Sequence, residues 1–258
     1  PTPRLSDLDA SGPTHFFVER EWDKQLLEIN KTRAYNGHVP ISAIFACVGT
    51  IVAILTGYKD TVVSNEASAD EPTLSYQGVS INHQYSKSSE FETDYQAQLA
   101  HDFGDSLRYY SFLRPLSELH ISEIFAQVGL NKYAGVFSSC NRAFTHLQTE
   151  LSWCGNCPKC AFVFLALTPF LPSEKVEKLF GGKNLLLDPD LVPTYKSLLG
   201  IEGEKPLECV GEIKESRAAM KLAQAIYPEL KQHVFDLPAD YDYQALAEQS
   251  MPKEIFRL

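Results

Sequence analysis

The sequence predicts an α/β fold: a parallel sheet set among buried helices, a zinc-type cysteine loop, and a helical C-terminal extension. Three observations predict it. Up to about residue 171, apolar helical stretches alternate with short β-branched or aromatic runs that end in polar residues. Four of the six cysteines fall between Cys140 and Cys160. From Pro172 onward, amphipathic helical patterns take over. The expected divisions are a lead-in and connecting helix at 1–32, an α/β core with the cysteine loop at 33–172, and the helical extension at 173–258.

Residues 16–31 carry helix-compatible apolar spacing at Trp22, Leu26, Leu27 and Ile29. A longer helix is expected between Pro40, which suits a first turn, and Gly57, which suits a helix end. Val39 to Tyr58 carries no charge, yet Ser42, Thr50, Thr56 and the absence of basic anchors favour a helix buried against a sheet over a membrane span. Thr61-Val62-Val63 reads as a buried strand ending in SNEASAD. Residues 79–90 lead into a helix with a capping box at Ser89 and Glu92 and a stripe of Phe91, Tyr95 and Leu99, closed by Gly104. RYYSFL (108–113) reads as a strand, RPLSELHISEIFAQVG as a loop and helix, and YAGVF (133–137) as a further strand. Ala161 to Leu171 is a second buried helix, followed by helices in SEKVEKLFGG, LVPTYKSLLG and EIKESRAAMKLAQAIYPEL.

The chain has 258 residues, 44 % of them hydrophobic, enough for a sizeable core. A formal charge of −10 and no basic cluster argue against nucleic acid as a partner and for a small-molecule substrate. The first residues are polar and contain no signal peptide, so a reducing, cytoplasmic setting is expected.

CGNCPKC supplies Cys154, Cys157 and Cys160, and thirteen residues separate Cys140 from Cys154. Short CxxC turns deliver sulfurs to one ion, and a fourth cysteine one loop away completes a tetrahedral shell, so structural zinc is the expected occupant. A thioredoxin-type pair has no use for four cysteines. Gly155 and Pro158 suit the tight turns. Cys47 and Cys209 have no ligand spacing and read as small buried hydrophobes.

Other polar clusters exceed what a core asks for. Asn36 and His38 stand at a helix start, where free N–H groups favour anions, although Asn36 can equally be a simple cap. Ser64, Asn65 and Glu66 follow a buried strand, the end of an α/β sheet where ligands gather. Asn82, His83, Lys87 and Glu90 crowd within nine residues; the group suits substrate contact or proton transfer. Arg114 after a strand suits a carboxylate or phosphate, or else a pair with Glu118. Arg142 stands two residues past Cys140, beside the metal loop.

Taken in order, NGHVPISA, SNEASAD, NHQYSKSSEFE, FLRPLSELHISEIFA, FSSCNRAF, WCGNCPKCAFVFLAL and KPLECVG resemble the bacterial UDP-N-acetyl-α-D-muramoyl-L-alanyl-L-glutamate epimerases, the MurL family, over about 33–216. The resemblance implies an adenine-nucleotide α-hydrolase-like (ATP pyrophosphatase) sheet. It implies ATP with magnesium as the energy source, and adenylation then epimerisation of the terminal glutamate of UDP-MurNAc-L-Ala-L-Glu in peptidoglycan synthesis. It places Ser64, Asn65 and Glu66 near the nucleotide, His83, Lys87 and Glu90 near the proton transfers, and Asn36, His38, Asn82, Arg114 and Arg142 near the substrate. The strand–PL–helix element and the late cysteines also look like 7-cyano-7-deazaguanine synthases. The glycine-rich SGGxDS-type phosphate loop of that fold class does not occur in the sequence, and GGK at 181–183 is the nearest string. The chain is therefore expected to be the C-terminal part of a longer enzyme. A related carboxylate-activating ligase and a non-catalytic zinc-stabilised binding module are the alternatives.

Overall fold

The computed structural model describes residues 16–21, 23–32, 34, 39–144 and 152–256. Trp22, Asn36 and His38 lie outside the described residues. The chain divides into two compact units, Pro1–Val39 and Pro40–Leu258. In the first, helix α1 (Lys24–Ile29) is capped by Asp23, whose carboxylate accepts from the Gln25 amide at 2.9 Å. It is shorter than the apolar spacing predicts. Its apolar residues are exposed, and propensity alone sustains little more than a turn or two of helix in water.

The second unit begins with α2 (Ile41–Thr56), which ends at Gly57 in the left-handed conformation. Only Ala46, Thr50 and Ala53 are buried, whereas Phe45, Ile51, Ile54 and Leu55 are exposed. The expectation of a fully buried helix is corrected: a stripe of small residues seats it, and Thr50 bonds the Tyr95 hydroxyl at 2.9 Å. Cys47 is exposed rather than buried.

Strand β1 (Asp60–Val63) pairs in parallel with a later strand, β4 (Arg108–Ser111), Asp60 opposite Arg108 and Val63 opposite Ser111. Their register is locked by a forked ion pair, Arg108 Nε to Asp60 Oδ1 at 2.6 Å and Nη2 to Oδ2 at 2.9 Å. Among the described residues the parallel sheet has these two strands alone. The crossover contains a hairpin that the sequence pattern does not reveal, β2 (Leu74–Tyr76) antiparallel to β3 (Val79–Ile81). Gln77 and Gly78 both take positive φ, 50° and 79°, as a tight two-residue hairpin turn requires.

Helix α3 (Ser89–Phe103) returns the chain to β4. Its cap is Ser88, whose Oγ accepts from the Phe91 amide at 3.1 Å, so the expected Ser89–Glu92 capping box is corrected. Glu92 points inward instead and is 1 % exposed. Phe91 and Tyr95 stack at 5.8 Å, and Tyr95 meets Tyr109 of β4 edge-on at 5.1 Å.

After β4, Ser117 caps α4 (Glu118–Ile124), which runs through one π turn at Phe125–Gly129 into α5 (Leu130–Tyr133). The expected strand at 133–137 does not form. The Tyr133 carbonyl accepts from Val136 and Phe137 at 3.0 and 2.8 Å, closing a helix end. Phe137 then packs between Phe125 and Trp153, at centroid distances of 4.7 and 5.2 Å.

The core is built around α6 (Pro158–Leu167), buried from Lys159 through Leu167. Leu119 of α4, Val176 of α7 (Ser173–Leu179), Tyr195 and Leu198 of α8 (Val192–Leu198), and Ala219 and Met220 of α9 (Ile213–Ala223) share one cluster with it. Residues 243–250 then fold back. Ala247 donates to the Pro115 carbonyl at 2.8 Å, and Ser250 Oγ to Glu92 Oε1 at 2.6 Å. No helix among the described residues is long and apolar enough to cross a membrane.

Candidate functional site

The cysteine loop is the first part of the site. Cys157 caps α6, its sulfur accepting from the Cys160 amide at 3.4 Å, and Pro158 occupies the first turn with its fixed φ. Gly155 takes φ +71°, which a side chain would resist. Cys154 donates its amide to Cys140 Sγ at 3.5 Å. These turns bring the four sulfurs within 4.8 Å of one another, with Cys140–Cys157 at 4.0 Å, Cys154–Cys160 at 3.7 Å and Cys157–Cys160 at 3.4 Å. A tetrahedron with metal–sulfur bonds of about 2.3 Å has edges of about 3.8 Å. The donor set therefore fits one four-coordinate soft metal ion. Hydrogen bonding from Cys160 holds the Cys157 thiol well below the ordinary thiol range. Trp153 and Phe180, 4.7 Å apart, wall the loop off. Arg142, exposed, donates to Asn156 Oδ1 at 2.8 Å and so ties the first cysteine segment to the second.

The second part is a cluster of charges at the carboxyl ends of β1 and β4. Arg114, 1 % exposed, is its brace. Its Nη2 and Nε reach Glu92 Oε2 at 3.0 and 3.2 Å, Nη1 donates to the Glu66 carbonyl at 2.8 Å, and Nη2 to the Lys87 carbonyl at 2.6 Å. Its carboxylate partner is Glu92, not Glu118. Glu118 instead accepts from Lys159 Nζ at 2.7 Å. Burial works against the Lys159 charge, but Glu118, Glu66 and Cys209 outweigh it and the ammonium holds its proton above the ordinary lysine range. Lys87 Nζ lies 3.4 Å from Cys209 Sγ, and Glu118 is within electrostatic reach of both Lys87 and Glu66.

The structure thus gathers Glu66 and Lys87, two sequence-predicted residues, with Glu118, Lys159 and Cys209, which sequence reasoning missed. Cys209 is half-exposed beside a lysine rather than a buried hydrophobe. A lysine between two metal-spaced cysteines was the available signal for Lys159. The KPLECVG turn was the signal for Cys209: Glu208 takes the Lys159 amide at 3.1 Å, and a side chain on Gly211 would meet Phe162 and Glu215 at 2.5 Å.

The remaining predicted residues sit around this cluster. Ser64 is exposed after β1. Asn65 is buried, its carbonyl accepting from Ser111 Oγ at 2.6 Å. Asn82 ties loops together, donating to the Ala69 carbonyl at 2.7 Å and accepting from the Gln84 amide at 2.9 Å. His83 is half-buried, its Nδ1 bonded to the Thr73 hydroxyl. Glu90 is exposed in the first turn of α3, near Tyr85.

Beneath the cluster, Glu215 is buried and accepts from Ser68 Oγ at 2.8 Å and the Glu212 amide at 2.7 Å. Burial and the neighbouring Glu118 push it up to about 7. A carboxyl raised in the folded state binds its proton more tightly there than in the unfolded chain. Its ionisation therefore costs nothing below the unfolded value, about 4.3, and its full amount above about 7. Stability should fall by up to about 4 kcal/mol as pH rises through that window. The Glu215→Gln variant should flatten this slope in pH-dependent urea unfolding; an unchanged slope would assign it to another group.

These features define a mixed α/β protein with a small parallel sheet, a four-cysteine centre able to hold a metal ion, and a charge-dense cluster at the strand ends. Profile comparison matches residues 5–112 to the MurL N-terminal domain and residues 136–248 to the MurL C-terminal domain. The chain belongs to the MurL family. It is 45 % identical over 214 residues to the UDP-N-acetyl-alpha-D-muramoyl-L-alanyl-L-glutamate epimerase of Micromonospora sp., covering 83 % of this chain and 47 % of that protein. Proteins of the same name from Salinispora tropica (45 % over 213 residues, 83 % and 46 %) and Xanthomonas oryzae pv. oryzae (43 % over 199 residues, 76 % and 43 %) are also similar. The chain spans less than half the length of these relatives. No solved structure matches it significantly.

Proposed function

We propose that this chain forms part of a cytoplasmic, ATP-dependent epimerase that inverts the terminal L-glutamate of UDP-MurNAc-L-Ala-L-Glu for peptidoglycan synthesis. The observation that carries the reading is the 43–45 % identity to proteins named for that activity. The charged cluster supports it, because inversion at a carbon needs proton donors and acceptors held close together.

The chemistry follows from the acidity of the α-proton. A free carboxylate opposes a second negative charge on the adjacent carbon, whereas the uncharged carbonyl of an acyl phosphate accepts it. Adenylation of the α-carboxyl, with diphosphate leaving and AMP released on later hydrolysis, brings the proton within reach of a side-chain base. In this reading Ser64, Asn65 and Glu66 face the nucleotide, in an adenine-nucleotide α-hydrolase-like sheet. The Glu66 carboxylate suits the magnesium that accompanies ATP phosphates. Lys87, with His83 and Glu90, serves the proton transfers, and Asn36, His38, Asn82, Arg114 and Arg142 position the substrate. Zinc in the thiolate cage supplies structure: four sulfurs close its shell, leaving no open coordination position. The cage fixes the start of α6 and with it Lys159.

The test uses the complete enzyme in deuterium oxide with ATP and UDP-MurNAc-L-Ala-L-Glu. The expected products are the D-glutamyl isomer carrying deuterium at Cα, AMP and diphosphate. Diphosphate release with the L configuration and the α-hydrogen both retained would favour a ligase and remove the epimerase reading.

A further inference from the structure

We propose that Cys209 carries the α-proton on one face of the glutamyl residue, with Lys87 as its charge and proton partner. The inference rests on the epimerase reading and adds a named acid/base group to it.

Of the possible proton acceptors, Glu66 is assigned above to the magnesium that accompanies ATP, His83 is bonded to the Thr73 hydroxyl, and Glu90 is exposed in the first turn of α3. Glu118 and Lys159 satisfy each other at 2.7 Å. Lys87, as an ammonium, has donors and no acceptor. Cys209 is half-exposed, and its sulfur meets Lys87 Nζ at 3.4 Å, with Lys159 also within electrostatic reach. The residues on both sides of the sulfur are held, Glu208 through its side-chain carboxylate and Val210 through its amide. Glu208 accepts from the Lys159 amide at 3.1 Å, Val210 donates to the Glu208 carbonyl at 2.8 Å, and Gly211 is wedged against Phe162. The thiol sits in a turn tied to the start of α6 and packed against Phe162. The four-cysteine centre is a closed set of sulfurs without Cys209.

The step balances as follows. With the α-carboxyl activated as the acyl-adenylate, the Cys209 thiolate takes the proton. The Cα–H bond breaks, an S–H bond forms, and the bonding pair moves into the acyl carbonyl as an enolate oxygen. An acid on the opposite face then protonates Cα and the pair returns to carbon. For the reverse direction the Cys209 thiol delivers its proton to Cα, and the thiolate left behind is matched by the Lys87 ammonium.

The experiment compares the complete wild-type enzyme with Cys209→Ser and Lys87→Met, reading deuterium at the glutamate Cα per AMP released. Cys209→Ser should lower this ratio by about a hundredfold or more. Iodoacetamide should alkylate Cys209 in the wild type, the substrate should block that reaction, and Lys87→Met should slow it by about tenfold. If Cys209→Ser loses both AMP release and exchange, the alkylation pattern decides. A Cys209→Ser ratio equal to wild type, or alkylation indifferent to both substrate and Lys87, overturns the inference while leaving the epimerase reading intact. A wild-type enzyme that neither releases AMP nor exchanges the α-proton overturns the functional reading, and this inference falls with it.

Discussion

Cys157→Ser, or stripping the metal with a strong chelator, is expected to abolish cooperative unfolding of the 158–230 core. The four sulfurs lie at or near the chain reversals that start α6, and α6 is the centre of the largest buried cluster. Sulfurs this close repel one another as thiolates unless an ion holds them. Structural zinc contributes about 10–16 kcal/mol of apparent binding free energy at neutral pH, against a total domain stability of about 5–15 kcal/mol. Loss of one ligand therefore suffices to remove the folded state. The measurements are metal content by mass spectrometry, expected at one equivalent, and thermal unfolding with and without chelator. A chelator-treated protein with an unchanged transition and no metal would show that hydrophobic packing alone holds the loop.

Arg114→Met is expected to destabilise the α/β part by about 3–5 kcal/mol, because it strands a buried carboxylate. Arg114 and Glu92 are each 1 % exposed, and together they join four segments: α3, the end of β1, the turn before α3 and the turn after β4. Glu92 also accepts from the Ser111 amide at 3.1 Å and from Ser250. The Arg114→Met/Glu92→Leu double variant should recover much of the loss, since an apolar pair of similar volume leaves no charge behind. Lysine is a poor substitute for the planar fork, so Arg114→Lys should sit near Met rather than near wild type. Urea midpoints settle the point: a loss below about 1 kcal/mol for Arg114→Met would mark the pair as solvent-compensated. If Arg114 also positions substrate, KM should rise in Arg114→Lys beyond what the unfolded fraction explains.

The parts legible in the sequence were those specified locally. Residue spacing along a few turns of chain was enough to identify the four clustered cysteines, the body of α6, β1, and the strand in RYYSFL, whereas the start of α6 at Pro158 lies three residues before the expected Ala161. Local spacing misled where a partner decided the outcome. YAGVF has strand composition, but no described strand pairs with it, and the aromatic pocket between Phe125 and Trp153 takes Phe137 at a helix end. Glu92 stands where a capping box would use it, but Arg114, twenty-two residues later, pulls it inside.

The sequence by itself determined that this chain carries a four-cysteine cluster within an α/β framework and belongs to the MurL family, because cysteine spacing and ordered motifs are properties of the chain read end to end. Only the tertiary structure decided that Lys87 of one turn meets Cys209 of another, 122 residues apart, that Lys159 pairs with Glu118, and that Arg114 is a brace. Such pairings depend on how helices stack on the sheet and on which charges lose their water, and neither is set by any short stretch of residues.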